Sequence, residues 1–257
     1  MRAISLLLHS TGTTPSMWDG VPSEVLSGTA RIAPTNLGVP PNPPLLRGQP
    51  GGAAEDAAHA LAAIPDDAEV IDLYGHSYGA VLALDLLPRL GSRVRSIFLY
   101  EPVLFGALAR SPDVDPAAAE EARAFRDHPW FLRDEERGGT EAWIELFIDY
   151  WNRPGSWARM PEAQRAETIA VGWKMYQEVR SCFLDARSFE AIILGAPTVT
   201  LAVGERSPAA SRAMSAALAR RNPGAVLFEV VGTGHMGPLT HPDRVRPALL
   251  DHAARRG

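Results

Sequence analysis

The sequence predicts an α/β fold: a mostly parallel sheet of about six strands with helices on both faces. Three observations carry that expectation. Short apolar runs alternate with helical patterns along most of the chain. The runs are continuous and not strictly alternating, as strands covered on both faces require. Finally, 257 residues with 46% apolar and 21% charged side chains suffice for one sizeable core and argue against disorder.

The predicted strands are Ala3–Leu8, Ala30–Ala33, Glu69–Tyr74, Val94–Tyr100, Thr198–Val203 and Val226–Val231, each closed by turn residues. Between them, helical patterns cover Ala53–Ile64, Tyr78–Leu90, Pro208–Arg220 and Pro242–Ala254. The loop Thr35–Gly52 carries Pro40, Pro41, Pro43, Pro44 and Pro50 with four glycines, so it continues neither helix nor strand. From about Leu104 to Gly195 the rhythm breaks. Helices are expected at Pro116–Asp127, Thr140–Trp151 and Pro161–Val179, with no convincing strand among them. Five of the six tryptophans fall in this stretch: Trp130, Trp143, Trp151, Trp157 and Trp173. The expected organisation is therefore a core of residues 1–103 and 196–257, interrupted by a helical cap over 104–195. The cap tryptophans either face a pocket or fill the cap's own core.

Acidic residues exceed basic ones by 30 − 25 = 5, so no positive field invites nucleic acid. The single cysteine, Cys182, excludes an internal disulfide and any CxxC site. The apolar run Ile4–Leu8 is too short for a signal-peptide core, and no stretch is long enough for a membrane span. A cytoplasmic protein is expected, with no cofactor and no metal, since no H-E-x-x-H pattern occurs. Its oligomeric state is not legible.

The strongest chemical signal is Gly75-His76-Ser77-Tyr78-Gly79, directly between a predicted strand and a predicted helix. A serine on so sharp a turn adopts a strained backbone, and small flanking residues permit that tightness. The turn lifts the hydroxyl above the sheet, beside a helix N-terminus that favours negative charge. A serine needs a base, because its hydroxyl is un-ionised at neutral pH. His235, in the glycine-rich loop after the last strand, sits at the sheet edge where α/β proteins place their sites. His59 falls within a helix, His252 near the chain end, and His76 within the turn itself. The same loop spells G-x-G-x-x-G, but Pro238 comes next and only 20 residues remain from there, leaving no room for a dinucleotide unit.

With these features in order, the chain resembles the α/β-hydrolase superfamily: an early strand ending in His9, then Trp18, the GHSYG turn and the late GTGHMGPLTHPDRV segment. The resemblance implies a lid between the family's sixth and seventh strands, and a chain that starts at its third strand, without the first two. It also implies an aspartate after the seventh strand, where this chain has Ser207. The acid is then Glu101, in Tyr100-Glu101-Pro102 at the sixth strand's end, or Glu205. For the oxyanion the expected donors are the N–H of Tyr78 and that of Ser10 or Thr11. The expected activity is hydrolysis of a small apolar or aromatic carboxylic ester through an acyl-enzyme on Ser77, with His235 as base and Glu101 orienting it. Trp18, Trp143, Trp173 and Met175 are the expected pocket lining. A hydrolase of carbon–carbon bonds or lactones, and a non-catalytic ligand-binding homologue, are the alternatives. A serine argues against haloalkane dehalogenase and epoxide hydrolase chemistry, which need an aspartate.

Overall fold

In the computed structural model, which describes residues 2–111 and 113–256, six strands form one parallel sheet. They are β1 (Arg2–Leu8), β2 (Ala30–Ile32), β3 (Ala68–His76), β4 (Val94–Tyr100), β5 (Thr198–Gly204) and β6 (Ala225–Val230), in the order β2-β1-β3-β4-β5-β6. The chain starts inside the sheet, steps out to β2, crosses back to β3 and then proceeds to β6. The direction of winding therefore reverses between β1 and β3, and such a switch leaves a crevice at the strands' carboxyl ends.

The core strands follow from sequence because their apolar runs are buried on both faces; every residue of β5 is buried. β3 extends beyond the predicted Tyr74, since Gly75 and His76 still pair with Leu99 and Tyr100. β6 is the exception to burial. It is an edge strand with β5 as its neighbour, and Val226 and Leu227 are 38% and 41% exposed. Val231, expected inside this strand, lies beyond it and is exposed.

Helices α1 (Ala53–Ala62) and α2 (Tyr78–Leu90) follow β2 and β3, and α9 (Ala209–Arg221) follows β5. After β6 come the short α10 (Gly237–Thr240) and α11 (Pro242–Arg256). Trp18, Leu7, Tyr74, Phe98, Val245 and Leu249 form a second, smaller core beneath α11. His252, placed near the chain end by sequence, is buried between Thr200 and Ser96, its ring nitrogens 2.8 and 3.2 Å from their hydroxyls.

Between β4 and β5 the described residues form only helices: α3 (Phe105–Arg110), α4 (Pro116–Asp127), α5 (Glu141–Trp151), α6 (Ser156–Arg159), α7 (Glu162–Ala170) and α8 (Gly172–Leu184), with a short 3-10 turn at Phe189–Ala191. The helix α4 starts where its chemistry says it must, with Asp115 accepting the Ala117 N–H at 2.8 Å and Pro116 at the first position. The single helix expected over Pro161–Val179 is broken into α7 and α8 at Val171. Gly139 and Gly172 explain the break, because a Cβ on either would overlap the other's carbonyl group. Two chains cross there backbone to backbone. Among the described residues no helix is long and apolar enough to cross a membrane.

Candidate active site

Only Ser77 separates β3 from α2, and it turns the chain at φ 56° and ψ −116°. A non-glycine residue there stores about 1–3 kcal/mol of strain, held by the surroundings. The Ser77 N–H donates to the Tyr100 carbonyl at 2.9 Å, and its own carbonyl accepts from the N–H groups of Ala80 and Val81 at 3.1 and 3.3 Å. The flanking glycines are sterically required. A Cβ on Gly75 would lie 2.6 Å from the Ala80 Cα, and one on Gly79 would overlap the Leu8 carbonyl.

The loop after β6 brings His235 over this turn. His235 Nε2 lies 2.9 Å from Ser77 Oγ, and Nδ1 lies 2.6 Å from Glu101 Oε2. An ionised carboxylate only accepts, so Nδ1 carries the proton and Nε2 is free to accept one from Ser77. Two groups fix the loop from below. His76 Nε2–H donates to the His235 carbonyl at 2.8 Å, and the Tyr100 hydroxyl donates to the Gly234 carbonyl at 2.9 Å. Burial, reinforced by the neighbouring His235, pushes the His76 pKa well down, so it serves as a neutral donor.

Glu101 also adopts positive φ, at 49°, with its N–H on the Ala202 carbonyl at 2.9 Å. Its carboxylate is fully satisfied. Oε1 accepts from the Gly204 N–H at 2.8 Å and from the Ser207 hydroxyl, and Oε2 accepts from the Ser211 hydroxyl at 2.6 Å and from His235. Burial alone would raise this carboxyl's pKa, but the His235 bond and charge and the two serine hydroxyls outweigh it and hold it below the usual range. Glu205, the other candidate acid, instead accepts the Gly232 N–H at 2.7 Å.

On the opposite side of Ser77 lies the loop after β1. The Ser10 N–H is directed at Met17 Sδ, 3.4 Å away, whereas Thr11 lines both cavities that meet at Ser77. Tyr78 is the first residue of α2, so its N–H has no intrahelical acceptor. His9 Nδ1–H donates to the Ser10 carbonyl and Nε2 accepts the Asn36 N–H, both at 3.0 Å. Burial lowers the His9 pKa to about 4, which keeps it a neutral brace for this loop.

Behind both loops sits a buried charged cluster that sequence reading missed. Lys174 pairs with Asp56, approaches Glu178 Oε1 at 3.5 Å and donates to the Gly51 carbonyl at 2.6 Å. Asp56 also accepts the Tyr78 hydroxyl at 2.6 Å, and Glu178 accepts the Asn36 side-chain N–H at 3.1 Å. The carboxylates come from α1 and α8 at sequence positions that no local pattern connects.

A narrow chamber of about 20 Å³ opens from Ser77 toward Phe105, Phe131 and Phe183. A cleft of about 730 Å³ opens on its other side, past His235. Neither is lined by the four residues expected from sequence. Trp18 lies in the core under α11, and Trp143 is stacked between Phe131 and Phe147, at 5.2 and 5.4 Å between ring centres. Trp173 packs beneath Arg47, and Met175 fills the space behind Gly12. Trp143 instead packs among the aromatic rings of the segment between β4 and β5. The tryptophan that does reach the site is Trp151, the last residue of α5, stacked on the His235 ring at 3.6 Å and 20°. The tryptophan count pointed to its segment, but nothing local marks which ring faces the imidazole.

The model of the alpha/beta hydrolase family matches residues 6–248 of the chain. No curated protein matches it. Among solved structures, the chain is similar to a thermophilic esterase from Thermogutta terrifontis (17% identity, TM-score 0.66, covering 100% of this chain and 90% of that one). It is similar to a carboxylesterase from Bacillus subtilis (20% identity, TM-score 0.63, 98% and 83% covered). It also resembles a loop variant of a haloalkane dehalogenase from Bradyrhizobium elkanii (18% identity, TM-score 0.66, 99% and 90% covered). At these identities the likeness establishes the fold, which serves different chemistries, and the site must decide among them.

Proposed function

The chain belongs to the alpha/beta hydrolase family, and within it we propose a serine hydrolase that cleaves carboxylic esters through an acyl-enzyme on Ser77. The observation that carries this reading is the unbroken line from Ser77 Oγ through His235 to Glu101, at 2.9 and 2.6 Å. His235 Nε2 takes the Ser77 proton as Oγ adds to the ester carbonyl. Glu101 holds the imidazole in the Nδ1–H tautomer and balances the imidazolium that forms. The N–H groups of Tyr78 and Thr11 receive the oxyanion; Ser10 is the weaker candidate because its N–H faces Met17 Sδ. His235 then protonates the leaving alcohol, and water, activated by the same imidazole, releases the acid. The helices of residues 104–195 act as the cap that walls the site.

A nucleophilic serine argues for acyl transfer and against the dehalogenase chemistry of one structural neighbour, which would need a carboxylate at position 77. The test is intact-mass analysis after treatment with a fluorophosphonate, followed by peptide mapping. One adduct on Ser77, abolished in Ser77→Ala and in His235→Ala, is expected. A folded protein that takes no adduct would overturn the reading and favour a ligand-binding role.

A further inference from the structure

Resting on that reading, we propose that the two cavities at Ser77 divide the ester between them: the aromatic chamber takes a short, uncharged acyl group, and the wide cleft takes a bulky alcohol that is neutral or cationic. Thr11, Ser77, Phe147 and Trp151 line both cavities, so the two spaces meet at the reacting atoms. Their remaining walls differ in the respect that matters chemically. His235, Met236 and Thr240 belong to the cleft, and His235 does not line the chamber.

That asymmetry orients the substrate. In the first half-reaction the bond from Ser77 Oγ to the carbonyl carbon forms, and the bond from that carbon to the alcohol oxygen breaks. The departing oxygen takes the proton that His235 Nε2 received from Ser77, and it must therefore leave on the His235 side. The acyl substituent, on the other side of the carbonyl carbon, points into the chamber. Water then adds to the acyl-enzyme, its proton passing through His235 back to Ser77, and the carboxylic acid leaves.

The walls set the chemistry each side accepts. The chamber is walled by Val103, Phe125, Val179, Cys182 and Phe183 and carries no ionisable acid or base among its described lining residues other than the phenol of Tyr150 and the thiol of Cys182. A carboxylate or ammonium on the acyl group would lose its hydration there without a partner. Burial raises both the Tyr150 and the Cys182 pKa, which keeps these two groups neutral. At about 20 Å³ against 730 Å³, the chamber is also the smaller space by far. The cleft offers Thr13, Ser16, Asn152, Gln164 and Thr168 for hydrogen bonding, and its one charged lining residue is Glu167. With no lysine or arginine on that wall, a phosphorylated or carboxylated alcohol has nothing to pair with.

Two crossed esters test the arrangement against its reverse: a glucose monobutyrate, with short acyl and bulky neutral alcohol, and ethyl dodecanoate, with long acyl and small alcohol. The expected kcat/KM favours the first by about tenfold or more, the scale on which a pocket discriminates by size. Replacing the butyryl group by succinyl should cost a similar factor. Preference for ethyl dodecanoate would place the acyl chain in the cleft and overturn the proposal. Val179→Phe, which fills the chamber, adds a readout that does not need ester turnover. It should slow Ser77 labelling by a P-butyl p-nitrophenyl phosphonate about tenfold more than labelling by the P-methyl analogue, and equal slowing of both overturns the proposal. If neither phosphonate labels the wild-type Ser77, the serine-hydrolase reading fails with it. Labelling without ester turnover removes the ester assignment, and the phosphonate size order still decides where the acyl-side substituent lies.

Discussion

Glu101 reaches His235 because Ser207 and Ser211 reach Glu101, their hydroxyls occupying one carboxylate oxygen each. Four donors, the Gly204 N–H, the two serine hydroxyls and His235 Nδ1–H, thus hold the carboxylate that the proposed mechanism sets against the imidazole. Glu101→Gln keeps the shape but offers an amide that can present N–H to His235 and favour the wrong tautomer, so kcat should fall by about 10³–10⁴-fold at unchanged KM; steady-state kinetics on any turned-over ester will show it. A fall of less than tenfold would shift the role to another acid. Trp151 makes a second residue-scale case. Its indole face lies on His235, and an aromatic face stabilises a cation by about 0.5–2 kcal/mol. Trp151→Leu should therefore lower kcat by about 2- to 30-fold, because the imidazolium that forms on proton transfer loses that support. An unchanged kcat would reduce Trp151 to packing. Ser77, His235 and Glu101 were legible because each sits where a strand ends in a Gly- or Pro-marked turn. Trp151 was not, because a ring stacked on His235 depends on how α5 docks, and no spacing within α5 records that.

Among the elements, α8 is the one that ties the inserted helices to the sheet. Lys174 and Glu178, one turn apart on α8, meet Asp56 of α1 and, through it, the hydroxyl of Tyr78 at the head of α2. Removing the cation leaves two buried carboxylates facing each other, so Lys174→Met should destabilise by about 3–5 kcal/mol in denaturant titration. Glu178 gives a sign that can be checked. Burial, with Asp56 nearby outweighed only in part by Lys174, pushes its carboxyl up to about 7, and its Oε2 has no partner. The folded state then binds a proton that the unfolded state has released, so between the ordinary carboxylate range and about pH 7 stability should decline as pH rises. Glu178→Gln should flatten that slope in a series of melts, and an unchanged slope would show that Glu178 is ionised throughout. Element boundaries were readable where local chemistry sets them, as at Asp115–Pro116 for α4. They failed where a tertiary approach decides, as at the Gly139–Gly172 crossing that splits α7 from α8, and in β6, whose apolar residues read as buried although the strand lies at the edge.

At the scale of the whole molecule, the position of the site follows from the winding. β1 leads into the loop of His9 to Thr11 and β3 leads directly into Ser77, and the winding reverses between these two strands, so the crevice opens at the serine. The same topology leaves a question of cooperativity. The helices between β4 and β5 would melt separately if their core were their own. Here it is not: Leu6, Val81 and Leu99 of the sheet layer share one apolar cluster with Trp143, Tyr176 and Phe183 of the inserted helices, and the Lys174–Asp56 pair crosses the same boundary. The expected outcome is a single thermal transition. Tryptophan emission reports the segment between β4 and β5, which holds five of the six tryptophans, and a Trp18→Phe background removes the sixth, which lies in the core under α11. Far-UV circular dichroism reports sheet and helices together. Coincident midpoints in that background are expected, and a tryptophan transition that precedes the loss of ellipticity would mean the helices over Ser77 loosen on their own. In that case the walls of the chamber would be adaptable, and its selectivity for short acyl groups should weaken as temperature approaches the first midpoint.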